Sequence, residues 1–106
     1  MNQKKMESMM EENKRRLYVL VDKSLEPVYG CVQGAHCAIN YRNEHPNNWN
    51  NEYLIFLYAN IKKWKRKFDF LNLEYSSFYE PDLNYKLTAL AIENDGKIFK
   101  NLNLVK

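Results

Sequence analysis

Cysteine and histidine are scarce in this chain, two of each in 106 residues, and the scarcity limits its chemistry. Cys31 and Cys37 fall six residues apart on one predicted helix, on different faces and too far apart along its axis for a disulfide. Both read as small buried hydrophobes of a reducing compartment. Joined with His36 and His45 they show no zinc-site spacing, so neither a metal nor a cofactor is expected. Long apolar runs are missing as well: no stretch approaches the roughly 18 residues of a membrane span. Met1–Arg16 carries charges throughout and has no apolar segment of a secretory signal, so a cytoplasmic protein with no membrane partner is expected. Neither sign of charge dominates. A formal net charge of +3 supports weak attraction to phosphate-bearing partners without demanding a nucleic acid. Repeats and low-complexity tracts are absent.

Aromatic residues, by contrast, are plentiful. Eight Tyr and five Phe let a modest chain bury a large apolar area, each ring covering about 150–250 Å². The length suits one compact domain. We place that domain at residues 16–106, behind an arm over 1–15 that is helical or flexible: MNQKKMESMMEENKRR is rich in helix formers, and Met6, Met9 and Met10 make a weak apolar stripe.

Leu17–Asp22, LYVLVD, has the nearly continuous apolar and β-branched character of a central strand buried on both faces. Lys23–Glu26 turns the chain into a helix over Pro27–Arg42. Its small residues Gly30, Cys31, Gly34, Ala35 and Ala38 allow close approach to a sheet, and Gln33 and His36 sit one turn apart. The group Asp22, Lys23 and Ser24 then stands at the carboxyl end of a strand, where open α/β sheets bind ligands. Asn43–Asn51 reads as a polar loop whose Trp49 folds back onto the body. Glu52–Ala59 reads as a second buried strand. Asn60–Asn72 forms a helix with Ile61, Trp64, Phe68 and Leu71 inward and Lys62, Lys63, Lys65, Arg66 and Lys67 on its other faces. Those cations serve either as a solvated face or as a guide for RNA phosphate. Short strands over Tyr75–Tyr79 and Leu87–Glu93 flank a polar loop, and Lys97–Lys106 is a short helical or irregular tail. The alternation predicts a small α/β domain, a four-stranded mixed sheet flanked by helices.

Two segments taken together resemble the type 2 peptidyl-tRNA hydrolases, most closely their short bacterial and phage-type branch. The first is Leu17–Asp22 followed by Leu25, Pro27, Val32, Gln33, His36 and Ala38; the second is Phe78–Glu80–Pro81–Asp82 with Leu87–Thr88–Ala89–Leu90–Ala91. The resemblance covers about residues 16–103. It implies a four-stranded mixed sheet, a homodimer, and hydrolysis of the ester that joins a peptide to tRNA. It puts the active-site Asp on Asp82 and a later Thr on Thr88, with Gln33 and His36 in the helix signature. The position of the usual active-site Lys falls on Tyr29, and the loop between Asp82 and Thr88 is shorter than in those enzymes.

The resulting candidates are Asp82, Thr88 and His36 for catalysis, Lys23, Ser24, Tyr29 and Gln33 for ligand contact, and the helix cations for RNA. Asp82 would orient or deprotonate a water that Thr88 positions. Tyr29 donates a hydrogen bond but supplies no positive charge to an oxyanion. His36 and Gln33 also suit purely structural hydrogen bonding, and Thr88 suits packing. We therefore expect a diverged, non-catalytic binder of tRNA or a nucleotide-type ligand. An active hydrolase and a module that binds a host protein are the alternatives.

Overall fold

The computed structural model describes residues 15–106; except for Arg15, the arm expected over 1–15 lies outside them. Four strands and two helices form three layers. β1 (Arg16–Asp22) leads into α1 (Pro27–Glu44), β2 (Tyr53–Ala59) into α2 (Ile61–Phe70), and β3 (Ser76–Glu80) passes through a 3-10 turn at Pro81–Leu83 into β4 (Lys86–Glu93). The sheet order is β2-β1-β4-β3. β1 and β2 run parallel, whereas β4 runs antiparallel to both β1 and β3. The carboxyl ends of β1, β2 and β3 therefore share one end of the sheet with the start of β4.

Period-two alternation divides the core. Leu17, Val19 and Val21 of β1 and Ala89 and Ala91 of β4 meet Cys37, Ala38 and Tyr41 of α1 on one face. Leu20, Leu90 and Ile92 meet Ile61 and Phe68 of α2, together with Phe99, on the other. Because both faces are covered, the two central strands are apolar at consecutive positions. The alanines of β4 leave room for α1 to lie close. A Cβ on Gly30 would sit 2.9 Å from Val21 Cγ1, and one on Gly34 would sit 3.2 Å from the Phe56 ring.

Several details depart from the sequence reading. β2 is an edge strand, and of its seven residues only Leu57 and Ala59 are buried. The C-terminal tail covers part of that edge: Tyr58 N–H donates to the Asn103 carbonyl at 2.9 Å and Val105 N–H to the Phe56 carbonyl at 3.1 Å. Leu57 and Leu104 form an isolated antiparallel bridge there. The tail is thus a 3-10 turn at Lys97–Phe99 followed by a strand-like cover. Cys37 is buried as expected, but Cys31 is half-buried and Ala35 exposed, on the side of α1 turned away from the sheet.

Candidate functional site

At the shared end of the sheet three polar side chains from three elements form one buried chain. Thr88 of β4 is fully buried and its hydroxyl donates to Gln33 Oε1 at 2.7 Å. Gln33, facing the sheet from α1, passes the chain on: its Nε2 donates to Glu80 Oε2 at 2.8 Å. The other carboxylate oxygen of Glu80, Oε1, accepts the Asp82 N–H at 3.0 Å and so caps the 3-10 turn. The hydroxyl's single proton is committed to Gln33, with the Phe78 carbonyl a more distant 3.4 Å away. The Asp82 amide first, then the Gln33 amide and the nearby His36, hold the Glu80 carboxyl below the usual glutamate range despite burial.

The remaining predicted residues surround this chain. His36 is exposed and stacks on Phe78, with ring centroids 4.9 Å apart and planes 10° from parallel. Tyr29, in the first turn of α1, is half-buried; burial first, then the charges of Glu80 and Asp82, push its phenol up. Asp82 itself is exposed in the turn. Tyr29, Gln33, His36 and Asp82 are thus neighbours of one carboxylate, Glu80, and Thr88 reaches it through Gln33. Glu80 joins these candidates, and the sequence reading gave it no role. No local pattern singles it out: Glu is not a favoured capping residue, and Glu26, which likewise precedes a proline, makes no side-chain cap.

Across the same end of the sheet, Asp22 accepts from the Ser24 amide at 3.0 Å and hydroxyl at 2.9 Å, and its other oxygen pairs with Lys86 Nζ at 3.2 Å. Burial opposes ionisation of Asp22, but Ser24 and Lys86 outweigh it and hold the carboxyl low. These residues line a cleft of about 290 Å³ with Lys23, Asn60 and Lys62. A second cleft of about 410 Å³ shares Lys23 and Asn60 and adds Lys63, Tyr58 and Trp64. Asn60 caps α2 by accepting the Lys63 N–H, so both clefts open beside the positive end of that helix.

The five cations of α2 do not form one face. Lys65 pairs with Asp69 at 3.1 Å and lies over the Tyr75 ring, and Lys67 lies 4.8 Å from the Trp64 ring centroid. Arg66 is exposed on the helix away from both clefts' linings. Lys62 and Lys63 join Lys23 at the clefts, and none of these three makes an ion pair among the described residues. No group of three or more His, Cys, Asp or Glu able to hold a metal occurs among the described residues, and no helix there is long and apolar enough to cross a membrane.

Geometry and topology define a small α/β domain with an open mixed sheet and a polar end. Compared with known proteins, the chain matches no family model, no curated protein and no solved structure.

Proposed function

We propose that this domain is a peptidyl-tRNA hydrolase type 2-like binding protein that holds tRNA, or a nucleotide-type ligand, at the carboxyl end of its sheet without hydrolysing it. The observation that carries this reading is a contrast between the two halves of that end. The Thr88–Gln33–Glu80 chain spends its hydroxyl proton and both carboxylate oxygens on the protein itself. Lys23, Lys62 and Lys63 stand at open clefts with no ion pair among the described residues. Ester hydrolysis needs a positioned water and a donor for the oxyanion, and a closed chain presents neither. Phosphate binding needs only accessible cations.

Fluorescence anisotropy with labelled tRNA, beside a turnover assay on N-blocked aminoacyl-tRNA, tests this. Binding without release of free tRNA supports the proposal. Release that disappears in Asp82→Asn establishes the hydrolase instead, with exposed His36, near Glu80, as its base. Failure to bind tRNA or any of a nucleotide panel leaves a protein partner as the ligand.

A further inference from the structure

Along α1, on the side of the β2 edge, runs an apolar groove that nothing among the described residues covers. Two clefts make it and meet at Ala35: one of about 330 Å³ with Ile39, Arg42 and Leu54, the other of about 440 Å³ with Val28, Val32 and Val105. Val28 is 80%, Ile39 59%, Val32 46% and Leu54 44% exposed. From Pro27 to Tyr41 the helix contains no Asp, Glu, Lys or Arg, although a helix face in water normally carries charge. Arg42 and Lys106 are the charged residues among those lining the two clefts, and both are cations.

The groove begins where the chain enters the domain. Arg15 N–H donates to Glu52 Oε2 at 2.9 Å, and the Arg15 carbonyl accepts from Tyr53 N–H at 3.1 Å. Glu52 and Tyr53 lie between Asn51 and Leu54, two residues of the first cleft. Because β1 and β2 are parallel, α1 runs back over the sheet, which brings Ile39 and Arg42 to this end of the groove and Val28 to the other. Fourteen residues precede Arg15. At about 1.5 Å per residue a helix over 1–12 is about 18 Å long, and the groove from Arg42 to Val28 about 21 Å.

We infer that residues 1–12 dock on this groove of their own chain as an amphipathic helix parallel to α1. Met6, Met9 and Met10 fall on one helical face, and Met fits irregular apolar surfaces. Measured back from Arg15, Met9 and Met10 come against Ile39 and Leu54, and Met6 against Ala35 and Val32. Charge selects the same course. From Met6 to Glu12 the charged residues are Glu7, Glu11 and Glu12, all opposite in sign to Arg42, and the parallel course sets Glu11 and Glu12 at the Arg42 end. Arg42 uses one nitrogen on the Pro46 carbonyl and keeps others for this contact. Asn13 suits the turn that leads from the helix into β1.

All the methionines of the chain, Met1, Met6, Met9 and Met10, lie in this segment, so ε-carbon-13 methionine labelling of the full chain watches it alone. Nuclear Overhauser contacts are expected from the Met6, Met9 and Met10 methyls to methyls of Ile39, Val32 and Leu54, with intensities independent of protein concentration. Ile39→Lys should remove them and bring the Met resonances to free-chain positions while the methyl resonances of buried Leu20 and Leu90 stay in place; Leu54→Lys gives the same reading should Ile39→Lys fold poorly. Arg42→Glu should lower the docked-to-free ratio, read from the Met shifts, by roughly threefold. Free-chain Met resonances in the wild type, or contacts to any other face of the domain, overturn the docking. Contacts that arise only between a labelled and an unlabelled copy in a mixed sample overturn it as well, since the occupant is then another chain. A ratio unmoved by Arg42→Glu overturns the parallel course.

Discussion

At the scale of single residues the molecule turns on groups that satisfy one another out of reach of solvent. Thr88→Val keeps the shape of the side chain but leaves Gln33 Oε1 without a donor, which costs about 1–3 kcal/mol of stability. Urea unfolding should record that loss while tRNA affinity stays at the wild-type value, because the hydroxyl faces Gln33 rather than a cleft. Glu80 sets a pH dependence. Its carboxyl lies below the ordinary value in the folded chain, so the unfolded chain binds more protons as acid is added. The stabilisation from Glu80 is therefore fully present above the ordinary glutamate range and drains away as pH falls through it towards the lower folded value. Melting temperature followed from neutral to acidic pH should decline less steeply for Glu80→Gln than for the wild type. Each residue of this chain is visible in the sequence, but their mutual bonding is not legible there. Gln33, Glu80 and Thr88 are up to 55 positions apart, and only the sheet brings them together.

Among the elements, α1 shows how much one helix is shaped by its neighbours. Gly→Ala in a helix interior gains on the order of 1 kcal/mol from propensity. At Gly30 the new Cβ meets Val21 Cγ1, a side chain with no exposure and nowhere to move, so the clash prevails and Gly30→Ala should destabilise by about 1–3 kcal/mol. At Gly34 the new Cβ meets the half-buried Phe56 ring at 3.2 Å and buried Val19 Cγ1 at 3.3 Å, both longer than the 2.9 Å contact at Gly30, so Gly34→Ala should destabilise less than Gly30→Ala in the same urea titration. The close approach was readable from the glycines themselves. That Ala35 and Cys31 point outward was not, since small residues on either side of a helix look alike until its rotation about its axis is known. The same ambiguity affected β2, whose YLIFLYA run has a central strand's composition but lies at an edge. The tail that pairs with it lies more than 40 residues later.

For the molecule as a whole, the parallel β1–β2 pair and the reversed β4 gather the ends of all four strands, the first turn of α1 and the start of α2 at one end. Charge is concentrated there in spite of the small formal net value of +3. Three lysines at the clefts, with no ion pair among the described residues, predict that the logarithm of tRNA affinity falls against the logarithm of salt concentration with a slope of about −2. Anisotropy titrations at several salt concentrations should give that slope for the wild type and a flatter one for the Lys62→Glu, Lys63→Glu double variant. Lys65→Glu, whose ammonium is held by Tyr75 and Asp69, should leave it nearly unchanged.

The sequence by itself determined the elements and their order, because hydrophobic period, caps and turns act over a few neighbouring residues. It likewise marked β1 as buried on both faces, since its apolar residues run almost without interruption, although a similar run in β2 belongs to an edge strand. Tertiary structure alone decided which strand lies at the edge, which cations remain unpaired and which side of α1 is left apolar towards solvent. It also decided that Glu80 holds the polar chain together. These are properties of pairing between distant segments, and no local pattern encodes which partner a residue will meet.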